Sequence, residues 1–302
     1  MSHNPLYQSD IHSLPLVHRG KVRDIYAVGE SQLLIITTDR LSAFDVILDD
    51  PIPNKGLYLT QLSNFWFQKT ANIIPNQLAD HASFDALLNT LSANEQAQIK
   101  DRSILVKRLK ALPIEAIVRG YLIGSGWQDY QKTGNICSIQ LPVGLQLAEK
   151  LPEILYTPSS KADVGQHDEN ISFDDSVDLL GEKIANQVKK VSIALYQQAA
   201  EYALKRGIII ADTKFEFGLD DDQQLVLIDE VLTSDSSRFW DLKHYQVGTS
   251  PMSFDKQYVR DYLQTLDWNK QSPAPKLPQH IIDKTAEKYQ HALEILTNSF
   301  TI

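Results

Sequence analysis

The sequence predicts an α+β fold, in which antiparallel hairpins and helices follow one another without regular βαβ alternation. Two pairs of short apolar segments flank turn-forming residues, which is typical of β-hairpins. Several longer segments carry apolar residues three and four positions apart, which favours amphipathic helices.

Composition limits the classes of function that the chain can have. It has 302 residues, 43% of them hydrophobic, and a net charge of -9. This length allows one large domain or two lobes, and the negative charge makes nucleic acid or an anionic membrane a poor partner. A single cysteine, Cys137, excludes an intrachain disulfide and a cysteine-based zinc site. We see neither a signal-peptide pattern nor an apolar run that could span a bilayer, and therefore expect a cytoplasmic protein. We also expect it to act on small molecules as a monomer.

The first part of the chain contains a predicted hairpin and a predicted helix. The hairpin covers residues 18–38, with a turn near residues 29–31. The helix covers residues 56–70, where apolar side chains recur at helical spacing. Residues 103–109 form a predicted strand, and Pro113 marks a connection because proline cannot continue a central ladder.

The middle of the chain begins with a predicted strand at residues 114–119 and a short helix at residues 125–132. Residues 141–170 are polar and contain prolines, so we expect a long loop, which in a compact enzyme is often functional. Ser172 is typical of a helix N-cap, and the helix that follows is expected to continue to Arg206, before Gly207.

The last part begins with a second hairpin, in which residues 208–218 and 225–231 flank the turn sequence LDDDQQ. Helices are expected at residues 256–266 and 279–298, separated by a proline-rich link.

The segment ADTKFEFG carries the strongest chemical pattern. Because side chains alternate along a strand, Asp212, Lys214 and Glu216 share one face, and Thr213, Phe215 and Phe217 share the other. The aromatic face suits a core. On the partner strand Asp229 follows an apolar run, and two carboxylates from adjacent strands suit Mg²⁺ bound to nucleotide phosphates. The alternative is a solvated face with cross-strand ion pairs, and the register across the turn stays open.

The segment RGKVRDIY could cover phosphates. Lys21 and Arg23 share one face of the predicted hairpin, and Gly20 allows close approach of the backbone. The pattern is neither a Walker A loop nor a three-glycine kinase loop. An ordinary exposed basic strand is the alternative.

Two further segments could bind an anion. Arg119 ends an apolar strand shortly before Ser125 begins a helix, and a helix N-terminus beside an arginine is a small anion site. Arg238 lies next to Phe239 and Trp240, so packed aromatic rings could hold its guanidinium in place. A simple helix cap and two surface arginines are the alternatives.

The long loop also carries a polar cluster. It includes Lys161, Asp163, His167 and Asp168, which could bind a metal or a polar substrate. A solvated loop explains the same residues.

Taken in order, these segments resemble the SAICAR synthetase family. The motifs that carry the resemblance are GKVRDIY, LSAFDV, LPIEAIVRG with its following GS, the SSKAD and HDE loop, IIADTKFEFG, IDE and DSSRFW. They run from Gly20 to Trp240, and the length is similar to that of the longer, yeast-like members. Ile123 departs from the Thr or Ala expected before the Gly-Ser pair.

The resemblance implies a two-lobed, ATP-grasp-like α+β fold with a C-terminal helical extension. The expected regions are a β-rich lobe at 1–111 with the phosphate-covering hairpin, a lobe at 112–254 that binds ATP, Mg²⁺ and substrate, and the extension at 255–302. ATP is expected between the lobes. The implied reaction joins the carboxylate of 5-aminoimidazole-4-carboxyribonucleotide (CAIR) to the amine of L-aspartate, with ATP cleaved to ADP and phosphate.

The resemblance also implies roles for individual residues. Gly20, Lys21, Val22 and Arg23 would contact the ATP phosphates, Lys107 would flank the adenine, and Glu115 would contact the ribose. Glu216 and Asp229 would bind Mg²⁺. Arg119, Ser125 and Arg238 would hold the 5′-phosphate of the nucleotide substrate, while Asp212 and Lys214 would face its imidazole and carboxylate. Asp45, Lys161 and Asp168 are further candidates for substrate binding.

Two other functions fit parts of the pattern. A kinase-like phosphotransferase also uses a lysine with two carboxylates, but the sequence has neither an HRD-type catalytic loop nor a DFG motif. A nucleotide-binding regulatory protein could keep the site and lose turnover, although every charged position is present. L-aspartate-dependent phosphate release separates both from the ligase.

Overall fold

A computed structural model of the chain describes residues 5–161 and 169–298. Helices and antiparallel strands are mixed along the described chain. The helices are α1 Lys55–Lys69, α2 His81–Leu88, α3 Ala93–Ile99, α4 Gly124–Thr133, α5 Phe173–Leu180, α6 Glu182–Leu204, α7 Gln257–Gln264 and α8 Gln279–Thr297. None of the helices in the described ranges is long and apolar enough to cross a membrane.

The strands are short except for two, β8 and β14. They are β1 Leu16–Arg19, β2 Arg23–Val28, β3 Gln32–Thr37, β4 Ser42–Ala43, β5 Val46–Ile47, β6 Ser103–Lys107, β7 Lys110–Ala111, β8 Ile114–Tyr121, β9 Asn135–Ile136, β10 Ile139–Gln140, β11 Lys150–Tyr156, β12 Ser159–Ser160, β13 Glu169–Asn170, β14 Ile208–Leu219, β15 Leu225–Ile228 and β16 Ser237–Asp241. A short 3₁₀ helix, Leu242–His244, follows β16.

The chain forms two compact units. Unit 1 consists of Met1–Phe65, Gln77–Arg108 and Phe254–Ile302, and unit 2 consists of Trp66–Asn76 and Leu109–Ser253. The chain passes from unit 1 to unit 2 between Arg108 and Leu109, and the expected lobe boundary lies at residue 111. The expected C-terminal extension is part of unit 1.

A four-stranded antiparallel sheet in the order β1-β2-β3-β6 organises unit 1. Its apolar face packs against α2 and α3, through buried residues that include Leu34, Leu87 and Ile99. These two helices were not predicted. A capping box begins α3, where Ser92 and Glu95 each bond to the other's backbone, and this S-x-x-E pattern is visible in the sequence.

The C-terminal helices complete a second core of unit 1. Val259 and Leu263 of α7 and Ile281 of α8 pack with Leu41 and other buried residues that follow β3. Burial of a large aliphatic side chain contributes roughly 1.5–3 kcal/mol. The extension is thus integral to the unit in which it packs.

An eight-stranded sheet organises unit 2. Its main path is β13-β12-β8-β14-β15, with β11 paired to β8 and with β7 and β16 paired to β14. Helix α6 packs on β8 and β14. Gly120 permits this close approach, since a Cβ there would lie 2.0 Å from the hydroxyl oxygen of Tyr196.

Two predictions of secondary structure in this unit are wrong. The expected loop at residues 141–170 contains β11 and β12, both of which pair with β8. The expected single helix at 172–206 is two helices, because Gly181 adopts a positive φ of 79° between them. Glycine alone takes this conformation at little cost, so the chain turns there.

Candidate active site

Strand β14 sorts its side chains between a core and a polar face, as the alternation of its sequence predicts. Phe215 and Phe217 are buried and their rings lie 6.5 Å apart. Lys214 and Glu216, from the other face, keep part of their side-chain surface exposed. The strand therefore presents charged groups from a rigid, packed element.

A row of alternating charges lies on this polar face. Lys214 Nζ donates to Glu115 Oε1 on β8 at 2.6 Å and to Glu216 Oε1 at 2.9 Å. Lys161 Nζ donates to the other carboxylate oxygen, Glu216 Oε2, at 2.5 Å. Both oxygens of Glu216 thus accept from an ammonium group, and Glu115, rather than Asp212, is the second carboxylate beside Lys214.

These contacts set the protonation states of the row. Burial favours the neutral form of Lys214, but the carboxylates of Glu216, Glu115 and Asp229 outweigh burial and hold its pKa well above the usual value. Burial likewise favours protonated Glu216, but Lys214 and Lys161 lower its pKa to about 2. At neutral pH Lys214 and Glu216 are therefore both charged.

The row offers oxygen donors that fit Mg²⁺. Glu216 pairs with Ile228 across the hairpin, so Asp229 comes one residue after the paired position, and its carboxylate is near enough to raise the pKa of Lys214. Carboxylate oxygens are the donors that Mg²⁺ prefers, and the two lysine ammonium groups on Glu216 show that this position attracts cations. Within residues 5–161 and 169–298 no group of three or more possible metal ligands clusters together.

Arg119 forms the centre of a second cluster, at the end of β8. Its side chain is 2% exposed, and its guanidinium donates to Thr157 Oγ1, Asp212 Oδ2 and Ser125 Oγ, each at 3.0 Å. Burial lowers the pKa of Arg119, and the carboxylate of Asp212 opposes this effect. The arginine is therefore held in one orientation with its charge compensated.

Arg238 joins this cluster from β16. Its Nη1 also donates to Asp212 Oδ2, so a single carboxylate oxygen bridges two guanidinium groups. Gly124, which begins α4, has a φ of 60°, and a Cβ there would lie only 2.4 Å from Arg238 Nη2. Ser125 lies in the first turn of α4, and no N-cap side chain bonds to the N–H groups of that turn. Arg119, Ser125 and Arg238, which the sequence analysis assigned to one phosphate, thus lie in one cluster.

In unit 1, the turn from β1 to β2 presents the basic segment. Lys21 forms an ion pair with Asp45, which lies in the turn between β4 and β5. A Cβ on Gly20 would meet only ordinary contacts, the nearest at 3.5 Å from the carbonyl oxygen of Arg23. Packing within the protein therefore does not require a glycine at this position.

The other expected site residues lie as follows. Lys107 ends β6 and is exposed, with its backbone N–H bonded to the carbonyl of Gln77. Arg23 begins β2, and Val22 precedes it. Asp168 lies outside the described residues.

Sequence reasoning missed two buried polar residues next to these clusters. Arg40 is 3% exposed and contacts the backbone of the β1–β2 turn, and Thr157 bonds to Arg119. Neither stands in a charged pattern. The only signal for Arg40 was its position immediately before the LSAFDV motif.

Comparison with known proteins decides the family. The SAICAR synthetase family model matches residues 16–275. The phosphoribosylaminoimidazole-succinocarboxamide synthase of Thioalkalivibrio sulfidiphilus is 63% identical over 295 residues, which cover 98% of this chain and 99% of the relative. The chain belongs to the SAICAR synthetase family. It is an enzyme of that family, as its motifs predicted.

Solved structures of SAICAR synthetases agree with this assignment. The Saccharomyces cerevisiae enzyme, solved with SAICAR, has a TM-score of 0.89 and 44% identity, covering 97% of this chain and 98% of its own. A family structure solved with ADP has a TM-score of 0.68 and 22% identity, covering 93% of this chain and 97% of its own, and it supports the fold alone. The predicted fold class and the likeness to the yeast member are confirmed.

Proposed function

We propose that the enzyme condenses CAIR with L-aspartate to give SAICAR, ADP and phosphate, in the cytoplasmic synthesis of purines. The observation that best supports this proposal is the order of charged residues along β14. Asp212 on this strand organises two arginines suited to a phosphate, and two residues further on Lys214 begins the charged row. A substrate with a phosphate at one end and a carboxylate at the other matches this order.

The phosphate of CAIR is assigned to the arginine cluster. Arg119 and Arg238 both donate to Asp212 Oδ2, so two guanidinium groups lie side by side, and the N-terminus of α4 adds N–H donors. Arg119 is already oriented by Thr157 and Ser125, so little side-chain freedom is lost on binding.

The reactive carboxylate of CAIR is assigned to the region of Lys214. A carboxylate is a poor acyl donor, and phosphorylation converts it into an acyl phosphate that an amine can attack. Lys214 is fully charged and fixed between Glu115 and Glu216, so its ammonium can neutralise charge on the transferring phosphoryl group. Glu115 therefore fits a role in fixing Lys214 as well as contact with the ribose of ATP.

The ATP phosphates are assigned to Gly20, Lys21, Val22 and Arg23. The ordinary contacts that a Cβ would make at Gly20 support this assignment, because packing within the protein does not explain the glycine. Lys21 now pairs with Asp45, and a phosphate would replace that carboxylate as its partner. Lys107 remains the candidate for the adenine contact.

Glu216 and Asp229 are the residues that would hold Mg²⁺. The ion would supply charge neutralisation between the β- and γ-phosphates of ATP. Lys161 would then have to leave Glu216 Oε2, which makes its ammonium available to a substrate carboxylate. Asp168 is a further substrate candidate in the same part of the sequence.

Phosphate release measured with each component omitted in turn tests this function. The purified enzyme should release phosphate only when CAIR, L-aspartate, ATP and Mg²⁺ are all present, and other amino acids should not replace L-aspartate. Release that does not depend on L-aspartate would favour a phosphotransferase instead. Tight ATP binding without any release would favour a regulatory protein.

A further inference from the structure

The buried side chain of Arg40 holds the backbone of the β1–β2 turn from inside unit 1. Its Nε donates to the carbonyl oxygen of Lys21 at 3.1 Å, and its Nη2 donates to that of Gly20 at 3.0 Å. Its Nη1 donates to the carbonyl oxygen of Tyr7 at 2.5 Å. One planar guanidinium therefore fixes two successive peptide groups of the turn that carries the basic segment.

The direction of these carbonyl groups fixes the direction of two N–H groups. In a trans peptide the C=O of one residue and the N–H of the next point to opposite sides. The carbonyls of Gly20 and Lys21 point inward to Arg40, so the N–H groups of Lys21 and Val22 point outward. Neither N–H has an acceptor among the residues that the structure describes. Successive outward N–H groups form a concavity that binds anions.

Asp24 makes the burial of Arg40 possible. Its Oδ1 accepts from Arg40 Nη2 at 2.8 Å, and its Oδ2 accepts from the backbone N–H and the hydroxyl of Ser9. Burial favours the protonated form of Asp24, but the hydrogen bonds from Arg40 and Ser9 keep its pKa below the usual value. Arg19 Nε also lies 3.3 Å from Asp24 Oδ1, so this carboxylate compensates the charge of two guanidinium groups. The inference uses the geometry of the bonds from Arg40 to the turn, not its charge.

We propose that Arg40 is a positioning residue for ATP, which aims the N–H groups of Lys21 and Val22 at phosphate oxygens. The inference rests on the proposed function, because it assigns the β1–β2 turn to the ATP phosphates. It adds to the proposed ATP site one residue, Arg40, that does not contact the nucleotide. It also adds two backbone N–H donors, which no side-chain pattern in the sequence indicates. Gly20, before Lys21, carries no side chain that could stand between a phosphate and these donors.

Arg40→Lys is the central variant. A lysine keeps the charge beside Asp24, but a single ammonium cannot reproduce the fork that spans two carbonyls. We expect the Kd for ADP, measured by calorimetry, to rise about 10-fold, which corresponds to the misdirection of one or two hydrogen bonds. The Michaelis constant for CAIR should stay within about twofold of the wild-type value, because the assigned CAIR residues lie in the other unit.

Arg102→Lys is the matched control. Arg102 is also buried in unit 1 and pairs with a buried carboxylate, Asp39, at 2.9 Å, but none of its bonds reaches the Gly20–Val22 backbone. We expect this variant to lose thermal stability comparable to that lost by Arg40→Lys and to keep its affinity for ADP. Equal losses of ADP affinity in both variants would show a general stability effect and overturn the proposal.

An amide measurement on the wild-type protein keeps the proposal testable even if Arg40→Lys does not fold. Addition of ADP to ¹⁵N-labelled protein should move the amide proton signals of Lys21 and Val22 downfield, as hydrogen bonds to phosphate form. Signals that do not move would overturn the proposal.

A Lys21→Met arm separates this inference from the function on which it rests. If Lys21→Met weakens ADP binding and Arg40→Lys does not, the turn binds phosphate without help from Arg40. If neither variant weakens binding, the assignment of the turn to ATP fails together with the inference. Weaker binding in both, with Arg102→Lys unchanged, supports it.

Discussion

Glu216 is the residue whose surroundings constrain the proposed chemistry most. Each of its carboxylate oxygens accepts from a lysine ammonium, and one of those lysines is itself held by Glu115. In the proposal, a metal would displace Lys161 rather than Lys214, since Lys214 is fixed by two carboxylates. Glu216 would then exchange the ammonium of Lys161 for a metal ion and keep its own negative charge.

Glu216→Gln should lower turnover by roughly two orders of magnitude or more, as expected when electrostatic stabilisation of a transition state is lost. Folding should survive, because Phe215 and Phe217 provide the packing of this strand. Binding of Mn²⁺ in the presence of ADP, followed by electron paramagnetic resonance, should weaken in parallel. Glu153→Gln, an exposed carboxylate on β11, is the control. Near-normal turnover and metal binding would remove Glu216 from the site.

The low pKa of Glu216 also predicts a pH dependence of stability. A carboxyl group ordinarily has a pKa of 4.5, whereas that of Glu216 in the folded protein is about 2. Ionised Glu216 therefore stabilises the folded state above pH 4.5, and this contribution is lost as the pH falls toward 2. The difference in Tm between wild type and Glu216→Gln should shrink between pH 5.5 and pH 3. A constant difference would contradict the assigned ion pairs.

Asp212 fits a positioning role better than contact with the imidazole of CAIR. Asp212→Asn should raise the Michaelis constant for CAIR about 10- to 100-fold, because both arginines lose the carboxylate that orients them, and should change kcat much less. In an Arg238→Ala background the same change should have a smaller effect. A loss confined to kcat would indicate that Asp212 contacts the substrate directly. Effects of Asp212→Asn and Arg238→Ala that are fully additive would indicate the same.

At the scale of the element, β14 was the part most open to prediction from sequence. The period of two places Thr213, Phe215 and Phe217 in the core and the charged residues opposite, as expected. The pattern could not show that Glu115 replaces Asp212 beside Lys214, because that contact depends on the register with β8, where Lys214 pairs with Ile117. Alternation predicts the face of a side chain, and strand pairing decides its partner.

Helix α4 shows how backbone conformation serves a site. Gly124→Ala would place a methyl group 2.4 Å from Arg238 Nη2 and would force alanine into a positive φ, which costs roughly 1–2 kcal/mol. We expect the Michaelis constant for CAIR to rise about 10-fold and that for ATP to stay unchanged. Gly134→Ala is a matched control, because Gly134 has a φ of 74° at the other end of the same helix and no neighbour within 4 Å of the added carbon. Similar kinetics in both variants would contradict the contact.

Other elements escaped prediction for identifiable reasons. Strand β11 contains Pro152 and exposed residues, since it pairs along β8 with a register shift, and so it lacks the alternation of a regular strand. The break at Gly181 was missed because apolar residues recur at helical spacing on both sides of it, in α5 and in α6. In each case a long-range pairing or a single backbone angle outweighed the local pattern.

At the scale of the whole molecule, the order of the motifs was enough to predict the family, although the domain limits were less accessible. The tail helices were expected as a separate extension, but Val259, Leu263 and Ile281 share a core with Leu41. Sequence distance hides this packing, because the two partners are separated by more than 200 residues. Arg40 was missed for a related reason, since three of its partners are backbone carbonyl groups, which leave no pattern in the sequence.

The proposed reaction transfers the γ-phosphoryl group of ATP to the carboxylate of CAIR. In the proposal, Lys21 and Arg23 bind the outer phosphates of ATP, and Lys214, charged and fixed by two carboxylates, neutralises the phosphoryl group during transfer. An adenylylating enzyme would need the α-phosphate exposed to attack instead. We therefore expect that CAIR labelled with ¹⁸O in its carboxylate will transfer one label to inorganic phosphate, with ADP as the other product. Label in AMP, with release of pyrophosphate, would overturn both the acyl phosphate and the role of Lys214.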